Sequence, residues 1–167
     1  MHFEAVKRYI IQKFNAEEVH GIEADDACAM AQYADPENTC IASNDKDLLM
    51  VPGNHYNWQK KIHQFITEDQ GDVNFYIQLC TGDGTDNIYG LRGVGPAKAA
   101  KIIEGCTSSR ERYEAVRQAY HEAEREDIAD VARQIWMSKH EPDDWRVPEE
   151  DIVPEPYNYA ANTTNHG

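Results

Sequence analysis

Hydrophobic residues recur at helical spacing near the start of the chain. They predict an amphipathic helix over residues 3–15. A second helix is predicted over residues 25–34, because small side chains dominate it and an Asp-Pro pair follows it. Asp25 and Asp26 fall at its N-cap and first turn, where carboxylates favour the helix dipole. The segment between the two helices is predicted to be short and extended.

Short apolar runs predict strands in the next part of the chain. A buried strand is expected over residues 39–43, followed directly by an acidic loop over residues 44–47. Two further short strands are expected over residues 55–58 and 61–67, after a Gly-Asn turn. Strands therefore belong to the first half of the chain.

Helical periodicity returns in the second half of the chain. A glycine-rich stretch over residues 81–96 predicts a set of ordered turns, and Pro96 suits the first position of the helix that follows. Beyond residue 141 the chain is rich in proline and acids, which is typical of an irregular arm. The predicted helices cover residues 72–80, 97–103, 108–125 and 127–139.

This order of elements predicts an α/β fold followed by an all-helical portion. Three regions are expected: part of an α/β core over residues 1–70, a helical region over 71–140, and an irregular, partly disordered tail over 141–167. The four cysteines include no CxxC pair, so a zinc ribbon is excluded and reduced thiols are expected.

The charge balance limits the classes of function. With 16 basic and 30 acidic residues the formal net charge is −14, which excludes a protein that coats DNA through overall positive charge. A polybasic membrane binder is excluded for the same reason. No apolar run approaches membrane-spanning length and no signal-peptide core is present, so a cytoplasmic protein without a membrane partner is expected.

Three acidic clusters are the candidates for chemistry: Glu23-Ala-Asp25-Asp26, Asp45-Lys-Asp47 and Asp83-Gly-Thr-Asp86. Each follows a predicted strand or begins a helix, the edge of an α/β sheet where ligands bind. Taken singly, each has another interpretation: a helix cap, a solvated loop or an Asx turn. Together the oxygen ligands favour Mg²⁺ or Mn²⁺, and two such ions about 4 Å apart can support phosphodiester hydrolysis.

A second candidate site follows the third cluster, in the sequence Leu91-Arg-Gly-Val-Gly-Pro-Ala-Lys98. Its glycines permit a tight turn with free backbone N–H groups, and a helix begins at once, an arrangement that suits one phosphate group. Arg92, Lys98 and Lys101 make it one of the few basic patches. The alternative is a helix-turn-helix corner with solvated lysines.

Three segments occur in the order and spacing of the 5′-nuclease family: GIEADDACAMA, ASNDKDLLM and TGDGTDNIYGLRGVGPAKAAKII. Over residues 16–105 the chain thus resembles the flap endonucleases and 5′→3′ exonucleases, including bacteriophage members and the nuclease domain of bacterial DNA polymerase I. The resemblance implies an incomplete PIN-like sheet flanked by helices, followed by a helix–three-turn–helix region.

The resemblance also implies roles for the acidic residues in metal binding and catalysis with two Mg²⁺ or Mn²⁺ ions. They would be distributed as follows: Glu23, Asp25 and Asp26 at the first ion, Asp45 and Asp47 between the ions, and Asp83 and Asp86 at the second.

DNA is the partner that the resemblance implies. The residues expected to bind it are Arg92, Gly93, Gly95, Lys98 and Lys101, with K⁺ at the same motif. The implied activity is hydrolysis of phosphodiester bonds near 5′ ends, at flaps and duplex ends, in phage or bacterial DNA replication.

The chain departs from the family pattern at its start. Family members carry two further aspartates and an arch upstream of the first motif, and this chain begins after them. It therefore resembles the C-terminal portion of a phage-type 5′-nuclease, and weak or no activity is expected from it alone. The alternative is an inactive, structure-selective DNA-binding fragment, or one subunit of a split nuclease that an upstream polypeptide completes.

Overall fold

The computed structural model describes residues 2–140 and 145–149. Its elements are helices α1 His2–Phe14, α2 Ala24–Ala34, α3 Glu68–Thr81, α4 Pro96–Ile102, α5 Ser109–Glu122 and α6 Ile128–Ile135, and strands β1 Cys40–Ala42, β2 Gly53–Asn57, β3 Ile62–Ile66, β4 Gly82–Asp83 and β5 Ile88–Tyr89. A 3₁₀ turn, Asp47–Met50, lies between β1 and β2. No helix among the described residues has the length and apolar character needed to cross a membrane.

A three-stranded sheet carries the first half of the fold. β1 and β2 run parallel with Ile41 opposite His55, and β2 and β3 form an antiparallel hairpin with Tyr56 opposite His63. Ile41 is buried, whereas most of β3 is exposed. The acidic loop and the 3₁₀ turn leave the carboxyl end of β1, so the sheet places Asp45 and Asp47 at the edge where ligands bind in α/β folds.

Helix α3 organises the rest of the molecule. Thr67 and Gln70 form a capping box at its start, with each side chain bonded to the backbone of the other residue. Its buried face includes Phe75, Tyr76 and Leu79, which pack in one core with side chains from the 3₁₀ turn and from α4, α5 and α6. Because α3 ends at Thr81, this packing fixes the position of the third acidic cluster.

Several predicted bounds differ from the structure. The capping box starts α3 at Glu68, ahead of the predicted start at 72, and α6 ends at Ile135 although residue 139 was expected. No strand occurs over residues 16–23, which contain only bends and irregular backbone. The glycine-rich stretch contains a small hairpin, β4–β5, as well as turns.

The predicted division into regions remains a prediction, and α3 crosses its boundary at residue 70. Much of the predicted tail, residues 141–144 and 150–167, lies outside the described residues. The described part, 145–149, is irregular, but Trp145 is buried, with its ring 5.8 Å from that of Tyr113 and 6.2 Å from that of Phe75. Trp145 therefore belongs to the core, whereas Arg146, Val147 and Glu149 of the same stretch are exposed.

Helix α1 differs from the others because none of its residues is buried. Its apolar side chains remain exposed, including Phe3 at 75% and Phe14 at 67%. Lys7 forms an ion pair with Glu18, which holds the following segment against the helix. The predicted amphipathic pattern thus forms a helix, but its apolar face remains largely exposed.

Candidate metal and nuclease site

The three acidic clusters line a single cleft of about 1350 Å³. Its lining comes from the start of α2 and the residues just before it, from the loop after β1, from the β4–β5 hairpin, and from residues 133–138 and 140. The carboxylates that line it are those of Glu23, Asp25, Asp26, Asp45, Asp47, Asp83 and Asp86. All seven acidic residues predicted from the sequence therefore reach the same cleft.

Three of the carboxylates form a compact group that we call the acidic triad: Asp47, Asp83 and Asp86. One oxygen from each lies within 4.8 Å of the others, a spacing that a single cation can bridge. Asp83 is only 4% exposed, and Asp47 is 13% exposed at its side chain. The remaining four acids line the cleft outside this group.

Local hydrogen bonds orient the triad. The backbone N–H of Thr85 donates to Asp83 Oδ1 over 2.7 Å, and the ammonium of Lys46 donates to Asp83 Oδ2 over 2.8 Å. These bonds, the Lys46 bond first, lower the pKa of Asp83 to about 2. Asp83 is therefore ionised at any physiological pH, as a metal ligand must be.

Asp47 has a different environment. Burial raises its pKa above the ordinary value, and the charge of Asp45 adds to this, although the charge of Lys46 acts in the opposite direction. Its Oδ1 atom is buried and accepts no hydrogen bond. A buried carboxylate oxygen without a donor is costly unless a cation faces it, and here the Lys46 ammonium lies 3.6 Å away without donating a hydrogen bond to it. The donor set and this orphaned oxygen therefore fit a hard divalent ion.

The other acids contribute negative charge to the same space. The pKa of Asp25 is raised, mainly by burial and then by the charges of Asp45, Asp26 and Asp86. Asp45 Oδ1 accepts the N–H of Asp47 over 2.9 Å, which closes the loop after β1. Mutual repulsion of this kind is relieved when divalent cations bind between the groups.

Ser138 and Lys46 are among the contributors to the cleft that were not predicted from the sequence. Ser138 donates its backbone N–H to Asp26 Oδ1 over 2.9 Å, so the segment after α6 holds one of the acids. That contact joins residues 112 positions apart, and no local pattern indicates it. Lys46 is the second, and its place between two aspartates in the sequence was the available signal.

The β4–β5 hairpin owes its geometry to Gly82. Its φ of +69° lies in the left-handed region, and a Cβ atom there would lie 2.3 Å from the backbone nitrogen of Gly90 and 2.4 Å from the carbonyl oxygen of Ile88. The chain therefore needs glycine directly before Asp83. The close backbone approach directs the buried carboxylate into the cleft.

Replacing Gly82 by alanine is expected to destabilise the fold by at least about 2 kcal/mol, because backbone strain and steric overlap add. Gly84→Ala is the matched control, since nothing lies within 4 Å of its Cβ position and its φ is not positive. Thermal unfolding of both variants measures the difference. Equal melting temperatures would contradict the role of Gly82.

The predicted DNA-binding residues lie on the surface before and along α4. Leu91 and Ala99 are buried and attach this segment to the core, while Arg92, Lys98 and Lys101 are exposed. Gly93 has a φ of +75°, and Pro96 begins α4 as expected. The Lys98 ammonium donates to the carbonyl of Gly93 over 2.8 Å and so stabilises the turn.

Comparison with solved structures identifies the fold. A mutant of the T5 5′-exonuclease superimposes with a TM-score of 0.52 over 80% of this chain and 74% of its own, at 15% identity. The chain has the 5′-nuclease fold. The predicted resemblance and the predicted incomplete α/β sheet flanked by helices are confirmed. A second structure, the T5 D15 protein co-crystallized with metal ions, gives a TM-score of 0.51 over 80% of this chain and 68% of its own, at 16% identity.

Sequence comparison points to the same family. DNA polymerase I of Rhizobium leguminosarum is 34% identical over 99 residues, which cover 52% of this chain and 10% of the polymerase. The chain thus spans one tenth of the length of this relative. No protein-family model matches the chain.

Proposed function

We propose that the chain is a divalent-metal-dependent 5′-nuclease, a 5′→3′ exonuclease or flap endonuclease that hydrolyses DNA near 5′ ends. The observation that supports this is the meeting of three acidic segments, distant in sequence, in one cleft of a chain with the 5′-nuclease fold. Its similarity to DNA polymerase I agrees with a role in DNA replication. A cytoplasmic location, in the host cell if the protein is phage-encoded, stays a prediction.

The acidic triad would hold one Mg²⁺ or Mn²⁺ ion, and Glu23, Asp25 and Asp26 would form a second site, with Asp45 between them. Bound ions of this kind supply Lewis acidity and a hydroxide nucleophile at neutral pH. The all-oxygen donor set favours such hard cations over zinc or copper.

Backbone N–H groups around this site hold its carboxylates in place for a phosphodiester substrate. The backbone N–H of Thr85 holds Asp83, and the backbone N–H of Ser138 holds Asp26, so one carboxylate of the third acidic cluster and one of the first are fixed before substrate arrives. Such preorganisation is worth several orders of magnitude in rate, because the groups need not reorganise during the reaction. Cleavage in the family's manner would leave a 5′-phosphate.

The segment around α4 would bind the DNA backbone as a helix–hairpin–helix element, with K⁺ at the turn. Arg92, Lys98 and Lys101 offer cations, and the glycines at 93 and 95 leave the backbone N–H groups accessible. Contacts of this type position DNA without reading its sequence. Recognition would therefore depend on the structure of the DNA, such as a 5′ flap or a duplex end.

Lys98→Ala is expected to weaken DNA binding severalfold and to reduce the salt slope of log K by about 0.7–0.9, the value for one lost phosphate contact. Fluorescence anisotropy with a labelled 5′-flap duplex at several salt concentrations measures both quantities. Lys61→Ala, an exposed lysine of the β2–β3 turn, serves as the matched control. An unchanged slope for Lys98→Ala would place the DNA elsewhere.

The test of the proposed function is cleavage of a 5′-flap DNA in the presence of Mg²⁺ or Mn²⁺, with EDTA as the control. Metal-dependent release of 5′ products supports a working site within this chain. Salt-sensitive binding without cleavage supports the alternative, a DNA-binding subunit of a split nuclease. If the chain neither binds nor cleaves the flap DNA, the proposed nuclease function and the DNA-binding alternative are both overturned.

The alternative has support of its own in the structure. The apolar face of α1 is exposed, and β1 pairs on one side only within the described residues. An upstream polypeptide that packs on α1 and adds a strand beside β1 would cover both features. Addition of such a polypeptide should then raise the cleavage rate in the same flap assay.

A further inference from the structure

The ammonium of Lys46 lies among the carboxylates of the acidic triad. Its Nζ atom is 2.8 Å from Asp83 Oδ2 and 3.6 Å from Asp47 Oδ1. These two aspartates, the buried Asp83 and the partly buried Asp47, also belong to the group that fits a divalent ion. The lysine and the ion would therefore use the same carboxylates.

The ammonium of Lys46 neutralises only part of the negative charge of the acidic triad. One ammonium offers a single positive charge to three carboxylates, and Asp47 Oδ1 still accepts no hydrogen bond from it. A divalent ion offers twice the charge and direct coordination at about 2.0–2.1 Å. The Lys46 side chain is 66% exposed, so its head group can move into solvent without loss of core packing.

We propose that Lys46 is the built-in counter-ion of the metal-free site and that a divalent cation displaces it from Asp47 and Asp83. This inference rests on the proposed metal site. An interaction that stabilises only the metal-free form weakens metal binding by the same free energy. Lys46 thus keeps a buried acidic group folded before metal arrives, and it lowers the affinity for the metal.

The proposal predicts opposite effects on stability and affinity when Lys46 is replaced by methionine. Metal-free Lys46→Met should melt about 2–5 °C lower, because Asp83 loses its cationic partner. Its affinity for Mn²⁺ should rise about 2- to 5-fold, in the range for a partly exposed ion pair. Saturating Mn²⁺ should restore the wild-type melting temperature.

Isothermal titration calorimetry with MnCl₂ and thermal unfolding test this on the whole chain. Lys60→Met, at an exposed lysine of the β2–β3 turn, controls for the loss of one positive charge and should bind Mn²⁺ within about twofold of wild type. Lys46→Arg keeps the charge and should retain the wild-type affinity. If Lys46 had only a structural role, Lys46→Met would lower the melting temperature without any gain in affinity for Mn²⁺, and that result would overturn the proposal.

The same titration separates the two proposals. If wild type binds Mn²⁺ and Asp83→Asn does not, the metal site stands, and the comparison with Lys46→Met alone decides the role of the lysine. If Lys46→Met binds Mn²⁺ and wild type does not, the result supports competition between the Lys46 ammonium and the metal ion for the same carboxylates. If neither binds, the metal site and the counter-ion both fail.

Discussion

Asp83→Asn is expected to abolish metal-dependent cleavage by the chain, with a loss of at least about 1000-fold, and to lower the affinity for Mn²⁺ by at least about 100-fold. Asp83 is the most buried acid of the cleft, and two donors hold its carboxylate towards the triad. The amide keeps the shape but removes the charge, and it can coordinate through only one oxygen. Asp83→Asn should therefore lose cleavage and metal affinity while it retains the fold.

DNA binding by Asp83→Asn should be unchanged or tighter, since a negative charge near the phosphate is removed. Asp47→Asn is expected to give the same pattern. Glu122→Gln provides the matched control, because Glu122 is an exposed acid on α5 that does not line the cleft. Flap cleavage, Mn²⁺ titration and anisotropy on the same preparations measure the effects. Undiminished cleavage by Asp83→Asn would remove the triad from the mechanism.

The local part of this site could be predicted from the sequence because the motifs are short and contiguous. Asp25 and Asp26 fall in the first turn of a helix, although the N-cap of that helix is Glu23 and not the predicted Asp25. Pro96 starts another helix, and both features follow from helix-dipole and proline preferences that act over a few residues. The Thr67–Gln70 capping box is equally local, and attention to it would have placed the start of α3 correctly.

The long-range part could not be predicted in the same way. The contact of Ser138 with Asp26 and the burial of Trp145 depend on how α6 and the following residues pack, and no periodicity encodes that packing. The convergence of the three clusters was expected from the family resemblance, whereas the spacing of the residues left it open. The grouping of Asp47 with Asp83 and Asp86, and the position of Lys46, follow only from the tertiary structure.

A buried cation between α3 and α5 is the basis of a second stability prediction. The guanidinium of Arg112 donates to Asp72 over 2.6 Å and to Asp69, with its side chain only 6% exposed. Ser109 donates to the other oxygen of Asp72 over 2.7 Å, and the Ser109 hydroxyl also contacts the hydroxyl of Tyr76. This network joins α5 to the helix that ends at the acidic hairpin.

Arg112→Met should lower the free energy of unfolding by about 2–3 kcal/mol, or about 4–12 °C in melting temperature. The loss is expected to be smaller than for a fully buried pair, because the side chains of Asp72 and Asp69 are 25% and 66% exposed and water can solvate them. Arg117→Met, on the same helix but 56% exposed, should change stability by less than about 0.5 kcal/mol. Arg112→Lys should lie between the two, since an ammonium cannot reproduce the planar fork. Equal losses for Arg112→Met and Arg117→Met would mean that the network contributes no more to stability than a surface ion pair, and that apolar packing alone positions α3 at the cleft.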